Sequence, residues 1–572
     1  MYNRKVFPIL VLLCITILAT TLYFPFLGNG LVFDDHGLFT SMMVYDSAQL
    51  PFNLQPRTFP YFTLGLIHVL SGSIEVNRIF SITLHLACAF TLFLLLRDLL
   101  QQAIRESNFQ HIDIGPDPAR AQLLAGLCAC IFTIHPIAVY GVAYLAQRTI
   151  LFATLFSLLS LWFYRRAFEK NRVADLFTAA LFYSMAIFSK QHAIMLPLTG
   201  IFLTALYQRN FGSIYKRISL YLVLCFPAAW LVLSMTTQVV ATSYEPSVGA
   251  MVAQMNKAVV LQHETAILDQ PWGRWLVSIL MQAGFFFDYF FYWIVPDVRV
   301  LSADMRFDFV DIWFSWTTYL KAILFFLSPL IAIYFLRKKG LIALFCCGFL
   351  YSWFLFLTEL AAVRFQEPFV LYRSYLWAPG YFIMLVAVCA HFSSRWLMIA
   401  ATPLLIICFL LARDRLHSFS DESALWKDAA QKLTSTELVG SDRIFYNRGN
   451  AYLAEKKYAE AIADYSLMIQ RNPTFPYAYY NRGLAYSFLK QNKEALADVD
   501  YSLSLDPNNA AAMYARGFIL EEQGCFEQAR NAYATSLALG NRIAKLKLGD
   551  LDKKSATHKS VKQGTEIGAC PD

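Results

Sequence analysis

Residues 1–37 begin with Met1-Tyr-Asn-Arg-Lys5, run apolar from Val6 to Leu27, and turn abruptly into Leu31-Val-Phe-Asp34-Asp35-His36-Gly37. An apolar run of ~20 residues is the length an α-helix needs to cross a bilayer core of ~30 Å. Hydrocarbon offers the backbone no hydrogen-bonding partner, so the run is expected to be helical. Basic residues precede it, but no small-x-small cleavage site follows Tyr23-Phe-Pro-Phe-Leu27. The run therefore reads as a retained first span and not as a removed leader.

The same pattern recurs outward from this stretch. Apolar runs of spanning length fall near 6–27, 76–96, 122–138, 148–164, 173–189, 193–208, 218–238, 316–336, 341–359, 375–391 and 395–412, about eleven in all. The 572-residue chain is 57% hydrophobic and 15% charged, well below the roughly 25% charge of an ordinary soluble domain. That balance excludes a disordered chain and an ordinary cytosolic enzyme. Net charge is +8, but the basic residues lie between apolar runs and no nucleic-acid-binding module is visible, so nucleic acid is not an expected partner. The loops holding Arg4/Lys5, Arg97/Arg105, Arg165/Arg166/Lys170/Arg172, Arg209/Lys216/Arg217 and Arg337/Lys338/Lys339 are the basic set. By the positive-inside rule they are cytoplasmic, which puts the N-terminus inside and the C-terminal region outside. Trp275–Val295 is read as an interfacial or re-entrant helix on the outer face, and Phe59–Leu70 is too short to span. Nine of the eleven cysteines sit in apolar runs as small hydrophobes; Cys525 and Cys570 lie outside them, with the option of pairing in an oxidising compartment.

The apolar excess stops near Leu411, and a repeat begins. Tyr446-Asn-Arg-Gly449 recurs as Tyr480-Asn-Arg-Gly483 and Tyr514-Ala-Arg-Gly517, and Ala461, Ala495 and Ala529 keep the same 34-residue spacing, as do Pro473 and Pro507. This register resembles the tetratricopeptide repeat, a helix pair that stacks into a solenoid. The expected organisation is all-α: a polytopic membrane helix bundle at 1–412, a linker or capping helix at 413–441, three repeats at 442–543 forming a solenoid that binds a partner protein, and a polar, disordered tail at 544–572.

Chemistry is expected at the outer rim. Asp34 and Asp35, followed by His36, stand directly after the first span; two carboxylates at the lip of a bilayer are costly unless used. One of them would act as a general base, and the pair is also the candidate for a divalent metal. The topology brings Arg57, His85, His135, Arg148, Lys190, His192 and Arg373 to the same side as candidates for binding a phosphate, with Glu367 beside Arg373. His36, Glu367 and the loop pair His263-Glu264 are candidates for the acceptor side.

The apolar part resembles the GT-C glycosyltransferases fused to tetratricopeptide repeats, the transmembrane O-mannosyltransferases and their bacterial relatives. The resemblance rests on Phe33-Asp34-Asp35, on Asn77 through His85, on Ile134-His135-Pro136 followed by Gln147-Arg148, on Phe188-Ser189-Lys190-Gln191, and on Tyr372 through Pro379. Tyr140 and Gln191 stand where that family often carries Glu. The resemblance implies an inverting glycosyltransferase that takes a polyprenyl-phosphate-linked sugar and delivers it to a protein or glycan hydroxyl. It also implies a bacterial inner-membrane protein with its repeats outside. Three alternatives remain open on the sequence: transfer of a preassembled glycan by an oligosaccharyltransferase-like or ligase-like enzyme, a transporter, and a membrane-anchored repeat scaffold.

Overall fold

The computed structural model describes residues 6–40, 46, 55–106, 118–207, 211–241, 270–308 and 315–551. The described residues are helical apart from loops, and their one β-pairing is an isolated bridge between Met305 and Phe369. The chain forms two compact units that divide between Asp428 and Ala429.

In the first unit, helices Phe7–Tyr23, Ile74–Glu106, Pro118–Ile134, Arg148–Glu169, Ala174–Ser189, Phe211–Ala241, Trp316–Phe335, Gly340–Phe356, Ala378–Cys389 and Ser394–Ser418, with the stretch Gln191–Leu206, occupy the eleven apolar runs. Seven of the eleven are long and apolar enough to cross a membrane; one is a pair, Pro118–Ile134 and Pro136–Val142, bent by 61°; three are shorter. The break in the bent pair is local: Pro136 removes a backbone N–H and His135 takes extended backbone to cap the next helix. The expected eleven spans are thus corrected to eight qualifying helices among the described residues, or nine with the bent pair. One of the eight, Pro271–Ile294, lies outside the eleven. Four of its polar side chains reach the segment between helices 340–356 and 378–389: Ser278 to Ala362 and Arg364, Gln282 to Pro368, Tyr289 to Val370, and Trp293 to Ser374; Asp288 instead pairs with Lys321 of helix Trp316–Phe335 at 2.7 Å.

Charged side chains sort to opposite ends of the bundle. At one end Arg165 meets Asp98 at 2.6 Å and Glu169 at 2.6 Å, Arg166 faces Asp175, and Arg217 donates to the Ala167 carbonyl. Arg78, Arg148 and Lys190 lie at the far ends of those helices, because consecutive helices run in alternate directions. Between them the helices approach closely through glycine. A Cβ on Gly348 would sit 2.6 Å from the Gly380 carbonyl oxygen and 2.9 Å from Met384 N, so helices 340–356 and 378–389 touch backbone to backbone.

The first unit runs past the expected boundary at 412. Helix Ser394–Ser418 continues through Arg415, which donates to Leu301 O at 2.6 Å and to Asp428 at 2.9 Å and so ties the expected linker to the bundle. In the second unit, three helix pairs cover 441–538. Gly449, Gly483 and Gly517 each leave a space in which a Cβ would come within 2.8 Å of Tyr465, Val499 and Tyr533 of the pairing helix. Arg448 to Asp464 and Arg482 to Asp498 repeat one bidentate ion pair. The third repeat has Ala532 at that acidic position, and Arg516 turns to Asp500 at 2.7 Å instead. The tail reading is corrected over 544–551: these residues are helical, with Ala544 and Leu551 buried against the last repeat. The remainder of the tail, with Cys570, lies outside the described residues.

Gly348→Ala or Gly380→Ala is expected to push two core helices apart and cost about 1–3 kcal/mol. The check is the thermal midpoint of the detergent-solubilised protein, with Gly28→Ala, whose new methyl has no neighbour within 4 Å, as the unchanged control.

Candidate functional site

The loop after the first helix is shaped by Arg78. Its guanidinium donates to the carbonyls of Leu27 (2.7 Å), Asn29 and Gly30 (2.7 Å), three acceptors in four residues. Phe33 then adopts a left-handed backbone, φ 53°, which is rare for a bulky side chain and stored mostly at functional sites. That turn starts helix Asp34–Thr40 and sends the two adjacent carboxylates into different surroundings. Asp34 is exposed, and its backbone N–H donates to the Tyr144 hydroxyl at 3.2 Å. Asp35 is fully buried; its oxygens accept from Ala146 N at 2.7 Å and Leu145 N at 3.2 Å. It thereby caps the short helix Leu145–Gln147 that delivers Gln147 and Arg148. Burial pushes the Asp35 carboxyl up to about 7, while the two amides and nearby Arg78 pull the other way.

Arg148 is buried beneath this loop. It donates to Asn77 O at 2.7 Å, Asn77 Oδ1 at 2.9 Å and Ser81 Oγ at 3.3 Å, with its guanidinium over the Phe80 ring. It fixes helix 148–169 against helix 74–106.

A second group surrounds Glu359. Arg373 donates to Glu359 at 2.8 Å and to Glu367 at 3.0 Å, Arg364 lies 3.6 Å from Glu359, and His192 lies 3.2 Å from it. Lys190 is buried, donates to Gln147 Oε1 at 3.1 Å and stands over the Tyr372 ring. Burial, with Arg57 and Arg373 nearby, holds the Lys190 amine well below its usual range. Arg57, also in left-handed backbone at φ 69°, donates through Nε to Gln191 at 3.2 Å. Lys190, Arg57, Arg364 and Arg373 thus share a region with two carboxylates, Glu359 and Glu367. Gln147 links this group to Asp35: Lys190 holds its side chain, and Asp35 caps its helix.

The sequence expectations divide on this geometry. Arg57, Lys190, His192, Glu367 and Arg373 lie in the region around Glu359, and Asp34 and Asp35 stand on the loop that Gln147 links to it. His36 lies beside Asp35, exposed, with Nε2 3.9 Å from Glu422. His85 is inside the bundle with both ring nitrogens taken, by Tyr375 OH at 2.6 Å and Thr133 O at 2.9 Å, and it locks helices together. His135 accepts from Ile137 N and stacks on Trp293 at 4.3 Å; it borders an apolar cavity of about 280 Å³ lined with Phe290, Trp293, Leu385 and Val388. His263 and Glu264 lie outside the described residues. No cluster of three or more His, Cys, Asp or Glu placed to hold a metal occurs among the described residues. The sequence reading gave no role to Arg78, Tyr144, Glu359, Arg364 or Glu422. For Arg78 and Glu359 the signal was present: an ionisable residue inside a run of spanning length.

Comparison with known proteins reaches the second unit. Tetratricopeptide-repeat models match residues 443–475 and 476–509. The helix pairs over these residues are tetratricopeptide repeats. Among solved structures, the first repeat domain of Spaghetti (RPAP3), bound to an HSP90 peptide, is 27% identical, over 20% of this chain and 93% of that one, with a TM-score of 0.20. The OM64 repeat domain of Arabidopsis is 26% identical, over 20% of this chain and 95% of that one, with a TM-score of 0.19. The Sgt2 repeat domain from Aspergillus fumigatus is 22% identical, over 23% and 91% of the two chains, with a TM-score of 0.21. No curated protein matches the chain.

The raised Asp35 pKa has a sign. The folded state binds the Asp35 proton up to about pH 7, whereas the unfolded carboxyl releases it near 3.8. Asp35 therefore favours folding most below about pH 4, and this contribution is lost as pH rises to about 7, on the order of 4 kcal/mol at most. Asp35→Asn removes the titration. Thermal midpoints of the two proteins, measured from pH 4 to 8, are expected to show the wild type falling relative to the variant through that window. Parallel curves would contradict the burial argument.

Proposed function

We propose that the chain is an integral-membrane, inverting glycosyltransferase of the GT-C type, with a polyprenyl-phosphate-linked sugar as donor and a protein Ser, Thr or Tyr hydroxyl, or a glycan, as acceptor. The observation that carries this reading is the pairing of one exposed carboxylate, Asp34, with a neighbouring region where four cations meet two carboxylates. Basic side chains gathered in one region suit an anion, and a lipid phosphate is such an anion. The apolar helices give the lipid chain a place to lie, and the apolar cavity beside Trp293 has the chemistry of an isoprenoid contact.

In the proposed reaction Asp34 accepts the proton of the acceptor hydroxyl as its oxygen attacks the anomeric carbon. The bond from that carbon to the phosphate oxygen breaks, its electron pair leaves with the lipid phosphate, and Lys190 and Arg57 hold the departing charge. Inversion follows from one displacement. Asp35 and Arg148 stay out of contact with the substrate and hold the loop. Arg373 is engaged by Glu359 and Glu367, and it shapes the phosphate pocket together with Arg364. The loops with basic residues face the cytoplasm, the site faces the periplasm of a bacterial inner membrane, and the repeats bind the acceptor or a partner protein there.

The test uses purified full-length protein with labelled polyprenyl-phosphate sugars and co-purified periplasmic proteins. Wild type is expected to move label onto protein or glycan. Asp34→Asn should lower the rate by about 10²–10⁴-fold, and Lys190→Gln should act chiefly on the donor KM. Full activity of Asp34→Asn would sink the assignment. The mass added to the acceptor separates a single sugar from a preassembled glycan.

A further inference from the structure

We infer that Glu422, at the head of the helix that continues toward the repeats, is a positioning residue for the Asp34 and Asp35 loop. The inference rests on the glycosyltransferase reading only for what the loop is positioned to do.

The strained residue of the loop is Phe33, and three groups hold it. Its N–H donates to Glu422 Oε2 at 2.7 Å. Its ring packs edge-on against Trp426 at 5.4 Å and lies tilted to Tyr144 at 5.9 Å. The indole N–H of Trp426 donates to Glu422 Oε1 at 2.5 Å, so the carboxylate that receives Phe33 is itself fixed by the ring that packs on Phe33. The rest of the loop is held by the same segment. Gly30 N donates to Ser420 O at 2.6 Å, and Asn29 Nδ2 donates to Leu416 O at 3.2 Å and to Phe419 O at 3.0 Å. A Cβ on Gly30 would come within 3.3 Å of Ser420 O, which is why the closest approach falls on a glycine. Residues 416–426 therefore grip residues 29–33 on one side, while Arg78 grips 27–30 on another. Helix Glu422–Gln431 crosses the division between the two units, so the segment that sets the carboxylate loop is covalently continuous with the repeats. A left-handed Phe33 has no intrinsic preference for this shape, and the Glu422 carboxylate is the group that receives its amide.

Two readouts test this in the full-length protein. Hydrogen exchange over residues 29–40 does not depend on any activity. Glu422→Ala should accelerate it about fivefold or more, leaving residues 86–100 unchanged. In the transfer assay the same variant should lower kcat about tenfold, with the donor KM changed less than about twofold, since the phosphate-binding cations are untouched. Glu422→Gln keeps a carbonyl acceptor for the Phe33 amide and should recover a large part of both effects. Unchanged exchange in Glu422→Ala overturns the inference, and so does a loosened loop with undiminished kcat. A wild-type protein that transfers no sugar, in which Glu422→Ala still loosens the loop, sinks the transferase reading and leaves the positioning role standing. If Glu422→Ala does not fold, Trp426→Phe, which keeps a ring on Phe33 and removes the donor to Glu422, should shift exchange in the same direction by less; no shift overturns the inference.

Discussion

A guanidinium enclosed by apolar helices is tolerated only where its donors find acceptors at once, and Arg78 meets that constraint with the carbonyls of Leu27, Asn29 and Gly30. Much of the candidate site follows from this contact. The chain leaving the first helix has no sheet or long helix to satisfy its carbonyls, so the arginine of a neighbouring helix fixes its course. The turn at Phe33 comes next, and with it the split between an exposed Asp34 and a buried Asp35. Asp35 in turn caps the short helix 145–147, which sets Gln147 for Lys190 and starts the helix bearing Arg148. Loop, cap and cation form a chain of hydrogen bonds in which each member is the acceptor or donor that the previous one lacked.

The same accounting explains how much was legible in the sequence. The apolar runs fell on helices because a run of Leu, Ile and Phe of spanning length has few other ways to satisfy its backbone. The 34-residue register was legible because glycine is required where Tyr465, Val499 and Tyr533 press on the partner helix. The convergence of Arg57, Lys190 and Arg373 was legible from alternation of helix direction alone. Side-chain pairing was not. His135 and Arg148 follow the same kind of helix end as Lys190, yet one stacks on Trp293 and the other is consumed by Asn77 and Ser81. Glu422 was beyond reach for a different reason: it lies nearly four hundred residues from Phe33, past a boundary that hydropathy draws at the end of the last apolar run. Hydropathy marks where a run stops being apolar, and Arg415 shows that the fold does not stop there.

The tetratricopeptide repeats show the opposite economy. Their ion pairs recur by position, Arg448 with Asp464 and Arg482 with Asp498. When the third repeat substitutes Ala532, Arg516 finds Asp500 of the preceding repeat. A solenoid has an equivalent neighbour on either side, so a lost partner is replaced by one from the next repeat. In the first unit the pairing is gathered on one group instead: Glu359 lies within 3.6 Å of Arg364, Arg373 and His192, and Arg373 also reaches Glu367.

That difference bears on the two adjacent aspartates. A carboxylate that is to take a proton from an incoming hydroxyl must meet solvent and substrate, and a carboxylate that is to hold a loop must meet neither. One side chain cannot do both. In a helix, neighbouring residues point about 100° apart, so placing both carboxylates in the first turn separates them without any added structure. Asp35 turns to the amides of Leu145 and Ala146, where burial raises its pKa and its oxygens are spoken for. Asp34 turns outward from the same turn, held in place by a neighbour that is not available to react. The doubled acidic residue is thus one exposed carboxylate and its own buried support, the former being the base in the proposed reaction, and the left-handed Phe33 stands directly before the pair.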